Sequence, residues 1–122
     1  MRWYMLFIIT AILTFLNIVT ARAEDDIALL NAIYKAEGGA KATYLYGIRS
    51  VTYNTPAEAR QICLNTIRNN RRRFKEYGHK THKTYLEFLA SRYAPINAKN
   101  DPSGLNHNWL RNVRYFLKKG GL

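Results

Sequence analysis

Apolar residues recur at intervals of three and four along several stretches of this chain, and that spacing predicts amphipathic helices. The first such stretch covers residues 25–37 and has acidic residues in its first turn, where the helix dipole favours them. Its inward positions are Ile27, Leu30, Ile33 and Tyr34. Two glycines follow Glu37, and glycine commonly ends a helix. The pattern therefore predicts Glu37 as the last residue of this helix.

Three further helices are predicted at residues 56–77, 83–93 and 105–118. The first of these has a clear start, because Thr55 can cap it, Pro56 suits the first helical position and Glu58 completes a capping box. The predicted buried residues of the three helices are Ala59, Ile62, Cys63, Thr66, Ile67, Asn70, Phe74, Tyr77, Tyr85, Leu86, Leu89, Tyr93, Trp109, Val113, Phe116 and Leu117. Residues 40–54 lack helical spacing and are predicted to form an irregular loop or a small hairpin. The fold class is therefore mainly α, with one insertion after the first helix.

The first 23 residues have the order of a secretory signal. A short basic start precedes an apolar run, Ala21-Arg22-Ala23 supplies a cleavage site, and a polar chain begins at Glu24. The alternative is an uncleaved membrane anchor, since the run approaches the ~17 residues that a span needs. The predicted division is a signal peptide at 1–23 and one domain at 24–122. Nothing after residue 23 is apolar for long enough to span a membrane, so the mature chain is expected in a periplasm or outside the cell.

Composition limits the kind of protein. The chain has 122 residues, 19 basic against 8 acidic, and removing residues 1–23 leaves 17 basic and 8 acidic residues, a net charge of +9. About 100 residues allow one small domain and exclude a two-domain enzyme. The single cysteine, Cys63, excludes a disulfide framework within the chain and a cysteine-based zinc finger. On its apolar helix stripe it is predicted to be an inert buried thiol.

Basic residues cluster at 71–73 and again at 79–83. Positive charge attracts anionic polymers, including nucleic acid and the carboxylates of peptidoglycan. No motif that reads bases accompanies these clusters, so specific nucleic-acid recognition is not expected. A solvated helix face and a charged turn remain the simpler interpretation. His79 and His82 have no third metal ligand near them in sequence, and no metal site is predicted.

Only one of the eight acidic residues after position 23 lacks a local structural explanation. Glu58 belongs to a capping box, Asp101 to an Asn-Asp-Pro turn, and the others to the new N-terminus or to charged helical stretches. Glu37 stands at a helix C-terminus, where the dipole disfavours a carboxylate and raises its pKa. Such a group is suited to act as a general acid. The alternative is an exposed glutamate at a frayed helix end.

The run Ala36-Glu37-Gly38-Gly39, followed by Tyr46-Gly47-Ile48, resembles the active-site region of lysozyme-like lytic transglycosylases. In that superfamily a catalytic glutamate ends a helix, and a glycine-containing segment shortly after it lines the cleft. The resemblance extends over roughly residues 25–117, because helices follow this segment and Tyr93 ends a later one.

The sequence differs from the usual motifs of the soluble-type families in three places. Gly38 stands where they carry serine, and residues 47–50 read Gly-Ile-Arg-Ser in place of Gly-Leu-Met-Gln. Residues 93–97 read Tyr-Ala-Pro-Ile-Asn, which only partly resembles the family's Ala-Tyr-Asn-Ala-Gly motif.

The resemblance implies a small lysozyme-like helical domain that cleaves peptidoglycan glycan strands with Glu37 as its only catalytic residue. Glu37 would protonate the glycosidic oxygen between N-acetylmuramic acid and N-acetylglucosamine, and would then take a proton from the muramic C6 hydroxyl as it attacks C1. No metal or cofactor is needed. A secretion or conjugation machine is a further expected partner. The acid inventory agrees, because most glycosidases use two carboxylates about 5–10 Å apart and only Asp101 could approach Glu37.

Tyrosines crowd into the segment after Glu37, and aromatic rings stack on sugar faces. Together with the resemblance, they give these candidate substrate-binding residues: Tyr46, Gly47, Ile48, Tyr53, Tyr93 and Asn97. The alternative for the tyrosines is a structural role, in which the ring packs against the core and the hydroxyl contacts solvent. The helical spacing of Trp109 predicts that it belongs to the core. Two other function classes stay open: a non-catalytic lysozyme-like module that binds glycan or protein, and a cationic secreted protein that binds nucleic acid or membrane.

Overall fold

The computed structural model describes residues 2–101 and 103–120, with the backbone alone described for 2–9 and 17–24. Within these residues the chain is mainly helical and contains no strand, which confirms the predicted fold class. Its four α-helices are α1 (Arg2–Ala36), α2 (Pro56–Glu76), α3 (Tyr85–Tyr93) and α4 (Trp109–Gly120). Short 3-10 helices lie between them at Gly39–Lys41, Leu45–Gly47, Gly78–Lys80 and Leu105–Asn108.

The first helix is longer than predicted, because α1 begins at Arg2 and includes the whole apolar run. No glycine or proline interrupts residues 2–36, so nothing in the chain ends the helix before Gly38. Asp25 and Asp26 therefore lie within the helix in the full chain, and the predicted first-turn dipole effect does not apply there. The predicted cleavage site lies among the residues whose side chains are not described.

The buried face of α1 is also rotated from the predicted one. Ile27 is 37% exposed, whereas Leu29 and Ala32 join Leu30 and Ile33 in the core. The rotation places Asp26 on the buried face, where its Oδ1 lies 2.6 Å from the Arg71 guanidinium of α2. This ion pair connects the C-terminal part of α1 to the middle of α2.

The starts of α2 and α3 follow from their caps. Glu58 N–H donates to the Thr55 hydroxyl as predicted, but the Glu58 carboxylate accepts from the amide of Asn54 rather than that of Thr55. A full reciprocal capping box occurs at α3, between Thr84 and Glu87. That box fixes the start of α3 at Tyr85, two residues later than the predicted start at 83. The predicted last helix begins with the 3-10 helix Leu105–Asn108 and becomes α-helical only at Trp109.

The core forms where α1 packs against α2 and α4, and where α3 packs against α2 and α4. Most predicted inward residues of α2, α3 and α4 are buried or half-buried, and Cys63 is fully buried. Tyr77 is an exception, since it is 46% exposed at the end of α2. Phe88 takes the buried position in this region and packs closely against Gly78. The four predicted helices thus enclose one core, although individual positions differ.

The segment between α1 and α2 is irregular and contains no hairpin. Two 3-10 helices shape it, and both Tyr46 and Gly47 have left-handed backbone conformations, with φ of 57° and 69°. The Tyr53 hydroxyl accepts a hydrogen bond from the Leu45 amide at 2.8 Å, which closes the segment on itself. Of the two predicted alternatives, the irregular loop is confirmed.

Among the helices formed by the described residues, none combines the length and the sustained apolar character that a membrane crossing requires.

Candidate active site around Glu37

Glu37 lies in the turn that directly follows α1 and lines a cavity of about 580 Å³. Its amide still donates to the Ile33 carbonyl at 2.9 Å, so the helix backbone holds this residue in place. The cavity walls come from the segment after α1, the end of α3, the loop before α4 and the start of α4. Glu37 is therefore enclosed by parts of the chain that are distant in sequence, and the alternative of a frayed helix end is wrong.

The carboxyl group of Glu37 contacts two neighbours. The indole Nε1–H of Trp109 donates to Oε1 at 2.8 Å. On the other side Gly47 approaches so closely that a Cβ at residue 47 would lie 2.6 Å from Oε2. Glycine suits this position, because a larger residue would displace the Glu37 carboxyl group and because the φ of 69° is left-handed. The left-handed backbone at residues 46 and 47 thus brings the chain directly against the carboxyl group.

Burial raises the pKa of Glu37 above its ordinary value of 4.5. The Trp109 hydrogen bond and the positive charge of Arg49 act in the opposite direction, and burial outweighs both. The predicted direction of the shift is confirmed, but its main cause is desolvation rather than the helix dipole assumed from the sequence. Glu37 thus holds its proton to higher pH than an exposed glutamate does, as a general acid requires.

Trp109 and Tyr93 form a stacked pair beside Glu37, with ring centroids 5.0 Å apart and planes inclined by 27°. The Tyr93 hydroxyl donates to the Tyr46 carbonyl oxygen and lies 3.6 Å from the Cys63 sulfur. Burial raises the pKa of Cys63 to about 11, so this thiol is inert as predicted. The aromatic pair and its contacts fix the positions of α3, α4 and the Tyr46-Gly47 turn relative to one another.

The candidate residues from the sequence divide into two groups. Glu37, Gly47 and Tyr93 line the cavity together. Tyr46 and Ile48 do not, because both are buried in the core, and the Tyr46 ring packs against Tyr34 with centroids 5.2 Å apart. Their predicted contact with substrate does not fit this placement.

Tyr53 and Asn97 also lie outside the cavity lining. The hydroxyl of Tyr53 is engaged by the Leu45 amide, which makes this residue part of the loop's internal packing. Asn97 occupies a turn closed by the Ala98 amide and the Pro95 carbonyl, and its φ of 65° is one that asparagine tolerates. The structure thus gives both residues a conformational role.

Asp101 also lines the cavity, but both of its carboxylate oxygens are occupied. Oδ1 accepts from the Leu105 amide at 3.0 Å and Oδ2 from the Asn106 amide at 2.8 Å. These bonds cap the 3-10 helix before α4, in agreement with the turn role predicted from the sequence. Asp101 therefore has a structural function at the cavity wall.

Several cavity residues were not predicted from the sequence. They are Arg49, Arg92, Asn100, Asn106, Asn108, Trp109 and Asn112. The three asparagines near Trp109 in sequence, Asn106, Asn108 and Asn112, could have predicted a sugar-binding surface, because amide side chains form hydrogen bonds with sugar hydroxyl and N-acetyl groups. Trp109 was assigned to the core alone, whereas it is both buried, with 6% exposed, and bonded to Glu37.

The described residues contain no group of three or more histidine, cysteine, aspartate or glutamate side chains placed to hold a metal ion. The two histidines after α2 are engaged separately. His79 Nδ1 lies 3.0 Å from the Phe74 carbonyl oxygen, and His82 Nδ1 lies 2.8 Å from the Thr81 hydroxyl.

Comparisons with models of protein families, with curated proteins and with solved structures gave no match to this chain.

Proposed function

We propose that this chain is an exported peptidoglycan-cleaving enzyme of the lytic transglycosylase type, with Glu37 as its only acid and base. The observation that carries the proposal is the environment of Glu37. Its carboxyl group is largely buried at a cavity wall, its pKa is raised, and its direct partner is the uncharged Trp109 indole. A glutamate that holds its proton beside an open cavity of about 580 Å³ can protonate a bound substrate.

In the proposed reaction the bond between C1 of N-acetylmuramic acid and the O4 atom of N-acetylglucosamine breaks. Glu37 donates its proton to O4, which leaves as a hydroxyl group. The muramic C6 hydroxyl attacks C1, and its proton passes to the Glu37 carboxylate, so the acid is restored. The products are a 1,6-anhydromuramic end and a new N-acetylglucosamine end, and no water is consumed.

The state of Asp101 supports one carboxyl group rather than two. A retaining or inverting hydrolase needs a second carboxylate as nucleophile or base. Asp101 shares the cavity with Glu37, but its two oxygens accept hydrogen bonds from backbone amides, and these bonds direct the carboxylate toward the start of the 3-10 helix. In the transglycosylase reaction the substrate's own hydroxyl is the nucleophile, so this second group is not required.

The charge of the cavity supports an anionic glycan. Arg49 and Arg92 line it, and among the described residues neither forms an ion pair. Each guanidinium instead lies over an aromatic ring, Arg49 over Tyr44 at 5.2 Å and Arg92 over Phe88 at 5.8 Å. Peptidoglycan carries carboxylates on its muramic and peptide parts, which guanidinium groups bind well. The rest of the basic surface would add non-specific attraction to the wall polymer.

Product analysis tests the proposal. The purified chain is incubated with purified murein, and the soluble products are identified by mass spectrometry. We expect muropeptides that end in 1,6-anhydromuramic acid. Reducing ends would indicate a hydrolase, and Asp101 would then be the candidate for the second carboxylate. Binding to murein without cleavage would indicate the non-catalytic module, and binding that falls steeply with salt would indicate a cationic protein for nucleic acid or membrane.

A further inference from the structure

The contact between Trp109 and Glu37 has geometry that a packing role alone does not require. Trp109 is 6% exposed, and its indole Nε1–H is directed at a single carboxyl oxygen, Oε1, at 2.8 Å. Tyr93 stacks on the indole and, through its hydroxyl, is bonded to the Tyr46 carbonyl. The ring therefore cannot rotate without disturbing the segment that holds Gly47 against Glu37.

The two carboxyl oxygens of Glu37 are made different by this contact. An indole N–H can only donate, so Oε1 is held as an acceptor. In a neutral carboxyl group the carbonyl oxygen is the stronger acceptor, so this contact favours the proton on Oε2. That oxygen is the one nearer to residue 47, since a Cβ there would lie 2.6 Å from Oε2 and 3.0 Å from Oε1. Gly47 itself lines the cavity, so the backbone beside Oε2 is open to a ligand.

We propose that Trp109 is a positioning residue whose indole N–H fixes the Glu37 carboxyl and directs its acid proton onto Oε2, the oxygen beside Gly47. The delivery of that proton to a glycosidic oxygen rests on the proposed function, whereas the fixed carboxyl and its single protonated oxygen do not.

Other charged and titratable groups face Glu37 from the elements packed around it. They are Arg49 from the segment before α2, Cys63 from α2, Arg92 and Tyr93 from α3, and Asp101 from the loop before α4. Burial raises the pKa of both Cys63 and Tyr93, so these two groups stay neutral around pH 7. Arg49 and Arg92 each contribute a positive charge to the cavity lining. Unlike these groups, the Trp109 indole forms a hydrogen bond to a single oxygen of the Glu37 carboxyl group.

The sign of one pKa change separates positioning from packing. Trp109→Phe keeps a ring in the core and removes the N–H. If the hydrogen bond matters, its loss destabilises the carboxylate and the Glu37 titration midpoint moves to higher pH. If Trp109 only excludes water, a smaller ring admits water and the midpoint moves to lower pH. Tyr85→Phe is the matched control, because it also removes one polar hydrogen from a half-buried ring, bonded to Ile67, outside the cavity lining.

Two nuclear magnetic resonance measurements on the full chain test the inference without any activity. Carbon-13 detection of the Glu37 carboxyl gives its midpoint in the unsubstituted chain, in Trp109→Phe and in Tyr85→Phe. We expect an upward move in Trp109→Phe and no change in Tyr85→Phe. An unchanged or lower midpoint in Trp109→Phe overturns the inference.

The second measurement needs no change at Trp109 and therefore holds even if Trp109→Phe fails to fold. The chain has two tryptophans, and Trp3→Phe identifies the remaining indole N–H signal as that of Trp109. We expect this signal to shift with pH through the same midpoint as Glu37 and to lose that shift in Glu37→Gln. An indole signal that ignores the Glu37 titration overturns the inference.

Murein cleavage adds a kinetic readout. A mispositioned catalytic group lowers kcat, and we expect a fall of about 10- to 100-fold in Trp109→Phe with KM nearly unchanged. The alkaline limb of the rate profile should move to higher pH together with the Glu37 midpoint. A full rate with an unmoved limb overturns the positioning role. If the unsubstituted chain cleaves nothing, the proposed function fails, and the two resonance measurements still decide the inference.

Discussion

Two enclosed carboxyl groups, Asp26 within α1 and Glu37 directly after it, lie eleven positions apart and have different partners. Asp26 is 6% exposed and forms an ion pair with Arg71, whose guanidinium also lies 4.2 Å from the Tyr85 ring centroid. Glu37 has a neutral indole as its hydrogen-bond donor and a cavity on its open side. One carboxyl group faces a full counter-charge, and the other does not.

The difference separates an acid with a charged partner from an acid whose hydrogen-bond donor is neutral. When a carboxylate is paired with a guanidinium in the interior, removing either partner leaves the other charge uncompensated. At Glu37, burial raises the pKa of the carboxyl group, and the neutral Trp109 donor and the charge of Arg49 do not offset it. Asp26 thus connects α1 to α2, whereas Glu37, directly after α1, is the acid that we propose for catalysis. Substitutions at the two positions should therefore affect different measurements.

Glu37→Gln is expected to have the largest effect. Gln keeps the size and can still accept the Trp109 hydrogen bond, but it has no proton to transfer. We expect murein cleavage to fall by at least the ~10²–10⁴ typical of acid–base catalysis, because one group performs both steps. The measurement is the initial rate of release of soluble muropeptides. Full activity in this variant would contradict the assignment and make Asp101 the next candidate.

The stability of Glu37→Gln should depend on pH in a defined direction. Because the folded pKa of Glu37 lies above 4.5, the stability associated with its proton is complete below that value and is lost as pH rises through the folded pKa. Gln is neutral throughout, so the free energy of unfolding of Glu37→Gln, relative to the unsubstituted chain, should increase with pH across this range. Urea unfolding at several pH values measures it, and a constant difference would contradict the raised pKa.

Gly47→Ala is expected to have the next largest effect. The new methyl group would lie 2.6 Å from Oε2, so the Glu37 carboxyl must move. We expect a loss of activity of about 10- to 100-fold and a loss of stability of roughly 1–2 kcal/mol from the left-handed backbone. Gly104→Ala is the control, because its φ of 72° is similar and its Cβ would have 3.6 Å to the nearest atom. Equal activity in the two variants would show that the Glu37–Gly47 contact is irrelevant.

The parts of this structure that the sequence predicted depend on local signals. Thr55 and Pro56 start α2, and Gly38 ends α1, because caps and breakers act within a few residues. The two carboxyl environments could not be predicted in this way. Asp26 meets Arg71 across 45 positions and Glu37 meets Trp109 across 72 positions, and no periodicity within a helix contains such pairs.

The errors have the same origin. The stripe drawn from Ile27 assumed that apolar residues alone define the buried face, whereas the ion pair of Asp26 rotates that face. Tyr46 has the composition of a sugar-binding residue, but its φ of 57° turns its ring into the core and its carbonyl toward Tyr93. Backbone conformations of this kind are determined by tertiary contacts that a single sequence does not display.

Asp26→Asn should reverse the pattern of Glu37→Gln. It leaves the Arg71 guanidinium partly buried without its counter-charge, and since that side chain is 31% exposed we expect a loss of about 1–3 kcal/mol in the free energy of unfolding. Activity per folded molecule should remain. Glu87→Gln is the control, because its pair with Arg114 is 3.8 Å long and exposed, and Gln preserves the cap of α3. We expect about 0–1 kcal/mol for that control. An unchanged free energy of unfolding in Asp26→Asn would show that the ion pair does not stabilise the fold.

Removal of residues 1–23 is expected to change the least, and it tests where the folded domain begins. None of the described side chains at 10–16 is buried, and Asp26 is the first buried residue among those whose side chains the structure describes. Proteolytic removal of the proposed export signal would therefore take away a helix extension that contributes little to the core. It would also place Asp25 and Asp26 in a new first turn, where the dipole favours them by about 0.3–1 kcal/mol.

Two measurements test this expectation. The intact mass of the exported protein should show Glu24 as its first residue, and the melting temperature of residues 24–122 should equal or slightly exceed that of the full chain. A mass that retains residues 1–23 would favour a membrane anchor, and a clear drop in melting temperature would show that the apolar part of α1 stabilises the domain.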